Sequence, residues 1–330
     1  MESALCVFTE SVFSKWLIIS KMKKTILYKF SGAGNDFVVI DGRESDVSAF
    51  REVPRIEALC REYKTDGLMI LGQEMPGQAG HDGRTQAGHD EGAIVMADPD
   101  RPSVDFSMEF YNPDGSGGMM CGNGGRCIVA FADYLGIRPA ECERSAEGVT
   151  AAPGVFLFRA PDGLHTGEIL DRPSEDLWTV RIKMIDVLGV TPMLGGYFLN
   201  TGTRHFVKFV EDVEQVDVDA EGKALRWNEA FAPIGTNVNF VHVAPDGLHV
   251  RTFEKGVEGE TLACGTGLTA AAVAAAFAGA LPPNDPRSAR TVAVRARQDW
   301  LSVTFTPEAD AKFTDVYLTG PARLVRIAGA

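Results

Sequence analysis

Met120-Cys121-Gly122-Asn123-Gly124-Gly125 and Ala263-Cys264-Gly265-Thr266-Gly267 decide the fold of this chain. Each block is Cys-Gly-x-Gly, and each opens an apolar run of helical character: Cys127 to Leu135 after the first, and Leu268 to Leu281, mostly alanine, after the second. The correspondence extends upstream. Phe110 precedes Cys121 by 11 residues, and Phe253 precedes Cys264 by 11. Asn35-Asp36-Phe37-Val38 has a counterpart in Arg204-His205-Phe206-Val207, although Phe37 to Phe110 spans 73 residues and Phe206 to Phe253 only 47. Most of the excess is Gln73 to Gly92, where Gln78-Ala79-Gly80-His81-Asp82 recurs as Gln86-Ala87-Gly88-His89-Asp90. A short polar, glycine-rich duplication cannot bury a core and reads as a loose insertion. Its two histidines have no further ligand cluster beside them, so no metal site is expected there.

The chain is therefore an internal repeat, two copies of one α/β unit with a cysteine at a helix start in each. Strand-like runs fill both halves, among them Ile26–Phe30, Phe37–Ile40 and Leu68–Leu71 in the first, and Asn239–Val243, His249–Phe253 and Leu301–Thr306 in the second. The alanine-rich helix after Cys264 has no polar face, so it must be enclosed on every side. The expected class is α+β, with a mixed sheet wrapped around a central helix in each unit, and not a doubly wound layout.

Composition limits the partners. With 330 residues, 45% of them hydrophobic, the chain can bury a core of about two domains. Lys plus Arg number 32 against 45 Asp plus Glu, a net charge of −13, which argues against gripping nucleic-acid phosphates. No apolar run approaches the ~20 residues of a membrane span. The six cysteines form no C-x-x-C pair and do not cluster with histidine, so neither a disulfide framework nor a zinc site is expected. A reducing, cytoplasmic location is the default. Residues 1–21 lack a secretory signal's basic start and clean apolar run. Met22-Lys23-Lys24 reads as a natural start, and 1–21 as an extension outside the domain.

A thiol at a helix N-terminus is favoured as thiolate by the dipole and the free N–H groups. Gly122-Asn123 and Gly265-Thr266 supply such N–H groups, and the same groups can hold a carboxylate. Two such units facing each other place one thiol on each side of a bound α-carbon. One thiolate removes the α-proton, the opposite thiol returns one, and the N–H groups stabilise the enediolate between. That chemistry is a cofactor-independent racemase or epimerase reaction.

Beyond the cysteine blocks the chain carries Phe30-Ser31-Gly32-Ala33-Gly34-Asn35-Asp36-Phe37, Tyr111-Asn112-Pro113-Asp114-Gly115-Ser116, Asn237-Val238-Asn239-Phe240, Phe253-Glu254-Lys255-Gly256 and Thr319-Gly320-Pro321-Ala322. With these it resembles the diaminopimelate epimerase family from about Lys24 to Gly329. The resemblance implies interconversion of LL- and meso-diaminopimelate, for lysine and peptidoglycan precursors, without pyridoxal phosphate, other cofactor or metal. It implies an active site in the cleft between the units, a last strand that returns to the first unit, and a homodimer. The division it suggests is 22–148 for the first unit (with insertion 73–92), 149–312 for the second, and 313–330 for the returning strand. By motif, Cys121 and Cys264 are the acid/base pair, and Gly122-Asn123 and Gly265-Thr266 hold the reacting carboxylate. Asn35, Asn112, Asn237, Glu254 and Lys255 bind the substrate's other groups, and His205 and Glu254 tune the thiols.

Three positions depart from the family pattern. Lys255 replaces the usual Arg, a point charge for a bidentate fork. Thr203 stands where asparagine is usual, and Gly67 where some members have Gln. Two other functions compete with this one. Another two-thiol racemase of the superfamily is one, although the proline-racemase-like branch typically has His in place of Asn123. A non-catalytic amino-acid-binding protein is the other, and the intact cysteine pair disfavours it.

Overall fold

The computed structural model describes residues 25–73, 104–118, 120–282, 285 and 288–329. The extension 1–21 and the insertion, apart from Gln73, lie outside the described residues. Four α-helices are described: α1 (Val53–Tyr63), α2 (Gly122–Tyr134), α3 (Val218–Arg226) and α4 (Gly265–Phe277). None of the described helices is long and apolar enough to cross a membrane.

Apart from a separate hairpin of Arg144–Ala146 with Val149–Ala151, and Gly259–Thr261, which pairs off the path, the described strands form one continuous hydrogen-bonded path that wraps twice. In the first wrap, Ile26–Gly32, Asn35–Asp41, Gly67–Gly72 and Phe106–Tyr111 are followed by Phe156–Ala160, Gly163–Ser174 and Leu177–Lys183. The long last strand, Phe313–Gly329, closes this ring. Gly320 to Arg323 pair with Val180 to Leu177, and Arg323 to Gly329 pair with Ser31 to Ile26. Its earlier part belongs to the second wrap, where Thr314 to Thr319 pair with the Trp300–Pro307 strand. Arg290–Arg295, Gly247–Glu254, Asn237–Ala244, Arg204–Phe209, Gly196–Asn200 and Val190–Met193 complete that wrap. Val187 and Phe313 exchange backbone hydrogen bonds of 2.8 and 2.9 Å and draw its two ends together.

The two wraps share one topology. Asn35–Asp41 runs parallel to Gly67–Gly72 as Arg204–Phe209 does to Asn237–Ala244, and the antiparallel neighbours repeat in the same order. This is the pseudo-symmetric α+β fold expected from the repeat. The expected boundary after 148 does not follow the hydrogen bonds, because the strands from Phe156 to Lys183 close around α2 in the first wrap.

Each wrap encloses one helix. Residues 270–275 of α4, all alanine except Val273, have no exposed surface. Small side chains let strands approach the helix from all sides. It stops at Phe277, short of the expected Leu281, because Gly279 turns the backbone left-handed at φ 68°. In α2, Ile128, Val129 and Phe131 are equally buried, and Trp178 caps the far end, its indole N–H donating to Asp133 Oδ2 at 2.9 Å.

Candidate active site

Cys121 and Cys264 are the N-cap residues of α2 and α4, both with extended backbone. The glycine after each lets the helix starts meet without side chains between them. A Cβ placed on Gly265 would lie 3.4 Å from Gly122 Cα, and one on Gly122 would lie 3.8 Å from Gly265 Cα. Leu318 of the shared last strand packs beneath both, 3.0 Å from either hypothetical Cβ. The N–H groups of Gly122, Asn123, Gly265 and Thr266 precede the first helical hydrogen bonds, which run from Gly125 to Cys121 O and from Leu268 to Cys264 O. Two positive helix ends thus converge on one point.

That point lies in a cleft of about 1250 Å³ lined by both cysteines and these four N–H residues. Asn35, Asn112, Asn237, Glu254 and Lys255 also line it. Asn35 Oδ1 accepts from Asn123 Nδ2 at 2.6 Å, and Asn123 Nδ2 also donates to Ala263 O at 3.0 Å, tying the first unit to the residue before Cys264. Asn112 is bonded within its own turn, Nδ2 to Ser116 Oγ at 2.9 Å. Asn237 joins neighbouring strands, donating to Thr203 Oγ1 and Arg204 O and accepting from the Lys255 N–H at 2.8 Å.

Burial pushes both thiols above the ordinary thiol range, and the nearby Glu254 carboxylate adds to the rise. The helix starts pull the other way. Gly124 N–H donates to Cys121 Sγ at 3.2 Å, and the Thr266 hydroxyl and Gly267 N–H act on Cys264. Desolvation outweighs these donors, so the thiolate preference expected from the helix starts does not prevail. Burial also raises Glu254, with Asp66 adding to the rise and the Thr261 hydroxyl, 2.9 Å away, opposing it.

His205 does not line the cleft. It is fully buried behind Thr203 and Thr266, with Nε2 at 2.9 and 3.0 Å from their hydroxyls. Asn239 Nδ2, 3.0 Å from Nδ1, also donates to Phe206 O, so Nδ1 accepts and Nε2 carries the proton. Thr266 Oγ1 lies 3.4 Å from Cys264 Sγ, which makes the route from His205 to that thiol indirect. Thr203, in an asparagine's usual place, is a hub of this network. A side chain at Gly67 would meet Tyr111 O at 2.7 Å and the Phe110 ring at 3.2 Å, so a Gln there has no room.

Burial lowers His205 from 6.5 to about 3. The unfolded chain therefore binds a proton between those values that the folded chain does not, and stability falls as pH drops through that window. His205 contributes a slope of up to about 1.4 kcal/mol per pH unit. His205→Gln should lose stability at pH 7 yet show a shallower further loss between pH 7 and 5, measured by urea denaturation. Equal slopes in the two proteins would show that His205 is not the acid-sensitive group.

Comparison with known proteins now bears on this geometry. Residues 197–325 match the family model described as diaminopimelate epimerase. The chain is 33% identical over 303 residues to a diaminopimelate epimerase of Flavobacterium psychrophilum, covering 91% of this chain and 97% of the relative. It is 39% identical over 254 residues to one of Aquifex aeolicus, covering 74% and 79%. The chain belongs to the diaminopimelate epimerase family. Solved structures with the same fold include a PhzF-family phenazine biosynthesis protein of Bacillus anthracis (TM-score 0.63, 10% identity, 94% of this chain and 99% of that one). A hydroxyproline epimerase of Agrobacterium vitis, solved with bound trans-4-hydroxy-L-proline, is another (TM-score 0.55, 15% identity, 93% and 92%).

Three residues around the site were not singled out from the sequence. Asp66 lines the cleft, raised by burial, its Oδ2 accepting the Asp36 N–H at 2.8 Å. Asn239 orients His205. Arg126 is wholly buried within α2. Their places in the repeat were visible, but nothing in the sequence said which way they face.

Proposed function

We propose that this chain interconverts LL-2,6-diaminopimelate and meso-diaminopimelate by a two-cysteine 1,1-proton transfer. The observation that carries the reading is the approach of Gly122 and Gly265, which sets Cys121 and Cys264 at two helix starts converging on one cleft. The ionised thiol removes the α-proton, and the C–H electron pair moves into the carboxylate to give an enediolate. The N–H groups of Gly122, Asn123, Gly265 and Thr266 receive the new charge. The opposite thiol then protonates carbon on its other face. Each turnover leaves the proton on the other sulfur.

The remaining cleft residues suit the rest of an amino diacid. Glu254 and Asp66 are carboxylates for ammonium groups, and Lys255 is a cation for the distal carboxylate. Asn35, Asn112 and Asn237 supply amide contacts. Thr266 relays His205 to Cys264, while Glu254 acts on both thiols. The protein works on a free amino acid, in the cytoplasm, as a homodimer.

The test is incubation with LL-diaminopimelate in D₂O, following α-proton loss and the meso isomer by NMR. Deuterium entry with inversion is the expected result. Exchange of proline or hydroxyproline instead would move the chain to another branch of the superfamily. Binding without exchange would make it a non-catalytic receptor.

A further inference from the structure

The two helix starts share Cys-Gly-x-Gly but differ five residues past each cysteine, where Arg126 follows Cys121 and Thr269 follows Cys264. Both side chains are fully buried, and both bond the equivalent carbonyl one turn back. Arg126 Nη1 donates to Gly122 O at 3.2 Å, and Thr269 Oγ1 donates to Gly265 O at 2.9 Å. The guanidinium also reaches Asn123 Oδ1 at 3.0 Å and Pro321 O at 3.3 Å. Every one of these acceptors is neutral. Gly320 leaves room for the group, since a Cβ there would sit 3.2 Å from Arg126 Nε. A buried cation held by neutral acceptors is costly unless an anion forms beside it.

We propose that Arg126 breaks the equivalence of the two thiols, making Cys121 the one that gives up its proton first, while Thr269 leaves Cys264 without a counter-cation. Its use in turnover rests on the epimerase reading; the order of ionisation does not. The surrounding charges fit. Cys121 faces Arg126 from its own helix and Glu254 from the neighbouring strand. Asp162, paired with His165, accepts the N–H of Met120, the residue before Cys121. Cys264 faces Glu254 and Cys121, and through Thr266 the neutral His205. Glu254 raises both sulfurs, and at Cys121 it opposes Arg126. Arg126 also faces Cys127 and Asp299. Cys127 lies deeper in α2, and burial raises its thiol strongly, so it does not compete for the charge. In the free enzyme the Cys121 proton leaves to solvent. In turnover Cys121 then takes the α-proton presented to it, and Cys264 donates its own to the other face.

The test is the pH dependence of iodoacetamide alkylation at each cysteine of the substrate-free protein, read by peptide mass spectrometry. Midpoints, not rates, are compared, because Cys121 and Cys264 differ in exposure. In the unmodified protein the Cys121 midpoint should lie at least about one pH unit below that of Cys264. Arg126→Met should raise the Cys121 midpoint by about one unit and leave that of Cys264 in place. Arg126→Lys, which keeps the charge without the fork, should restore most of the gap. A Cys264 midpoint at or below that of Cys121 in the unmodified protein overturns the proposal, whether or not the variants fold. So does an Arg126→Met protein with the original gap. Solvent-deuterium exchange into diaminopimelate is measured separately. Its failure with the alkylation order intact would count against the epimerase reading and not against Arg126.

Discussion

Cys121→Ala and Cys264→Ala should each lower epimerisation by about 10³–10⁴-fold while leaving the fold intact. In the proposed reaction each face of the α-carbon meets one sulfur, and neither helix start offers a second group able to take or give a proton there. The fold survives because each thiol is an N-cap at the cleft and fills little of the core. The two losses should look alike in steady-state rate yet differ in isotope exchange. A variant with one remaining thiol can still remove and return a proton on its own face. It should therefore exchange the α-proton of one isomer with D₂O without inverting it, and the other variant should exchange the opposite isomer. NMR of both isomers with both variants checks this. Near-normal inversion in either variant, or exchange of the same isomer by both, would rule out the two-base arrangement.

Gly267→Ala should damage both the fold and the site. Its Cβ would fall 2.4 Å from Asn239 Oδ1. Asn239 cannot swing aside, because it is fully buried and bonded to Thr252, His205 and Phe206 O. Either α4 shifts or the network that holds Thr266 against Cys264 breaks. Overpacking of this kind costs about 1–3 kcal/mol, and activity should fall more steeply than stability. Thermal denaturation and deuterium exchange on the same preparation check both. A stable, fully active Gly267→Ala protein would show that the Asn239–His205–Thr266 chain is not needed at Cys264.

Much of this arrangement was legible because the repeat is written twice in unusual residues. Two Cys-Gly-x-Gly blocks located both helix starts, and the alanine run after Cys264 required enclosure whatever the rest of the chain did. Other elements were quieter. In α1, Ile56, Leu59 and Cys60 form an apolar stripe behind Pro54, a readable amphipathic signal that the cysteine blocks overshadowed. Gly163–Ser174 ends in exposed polar residues and a proline, so no alternation marked its second half as strand. That strand and its neighbours carried the first unit past the expected boundary, since closure of a ring is a tertiary fact with no local signature. At the site, the types of Asn35, Glu254 and Lys255 announced polar recognition. By contrast, Arg126 reads as one more helical arginine until its burial is seen, and the indirect route by which His205 would tune a thiol is hidden until Thr203 and Thr266 are placed before it.

The strand Phe313–Gly329 pairs with both wraps, and everything it pairs with precedes it in the chain. During synthesis, neither wrap can complete its core until this strand has cleared the ribosome. Leu318, the residue beneath both glycine helix starts, arrives with it. A nascent chain therefore carries Cys121 long before the strand that closes the cleft is made, and Cys264 only shortly before it. Loss of Gly320 to Gly329 would open the first wrap on both sides, while Phe313 to Thr319 would still close the second.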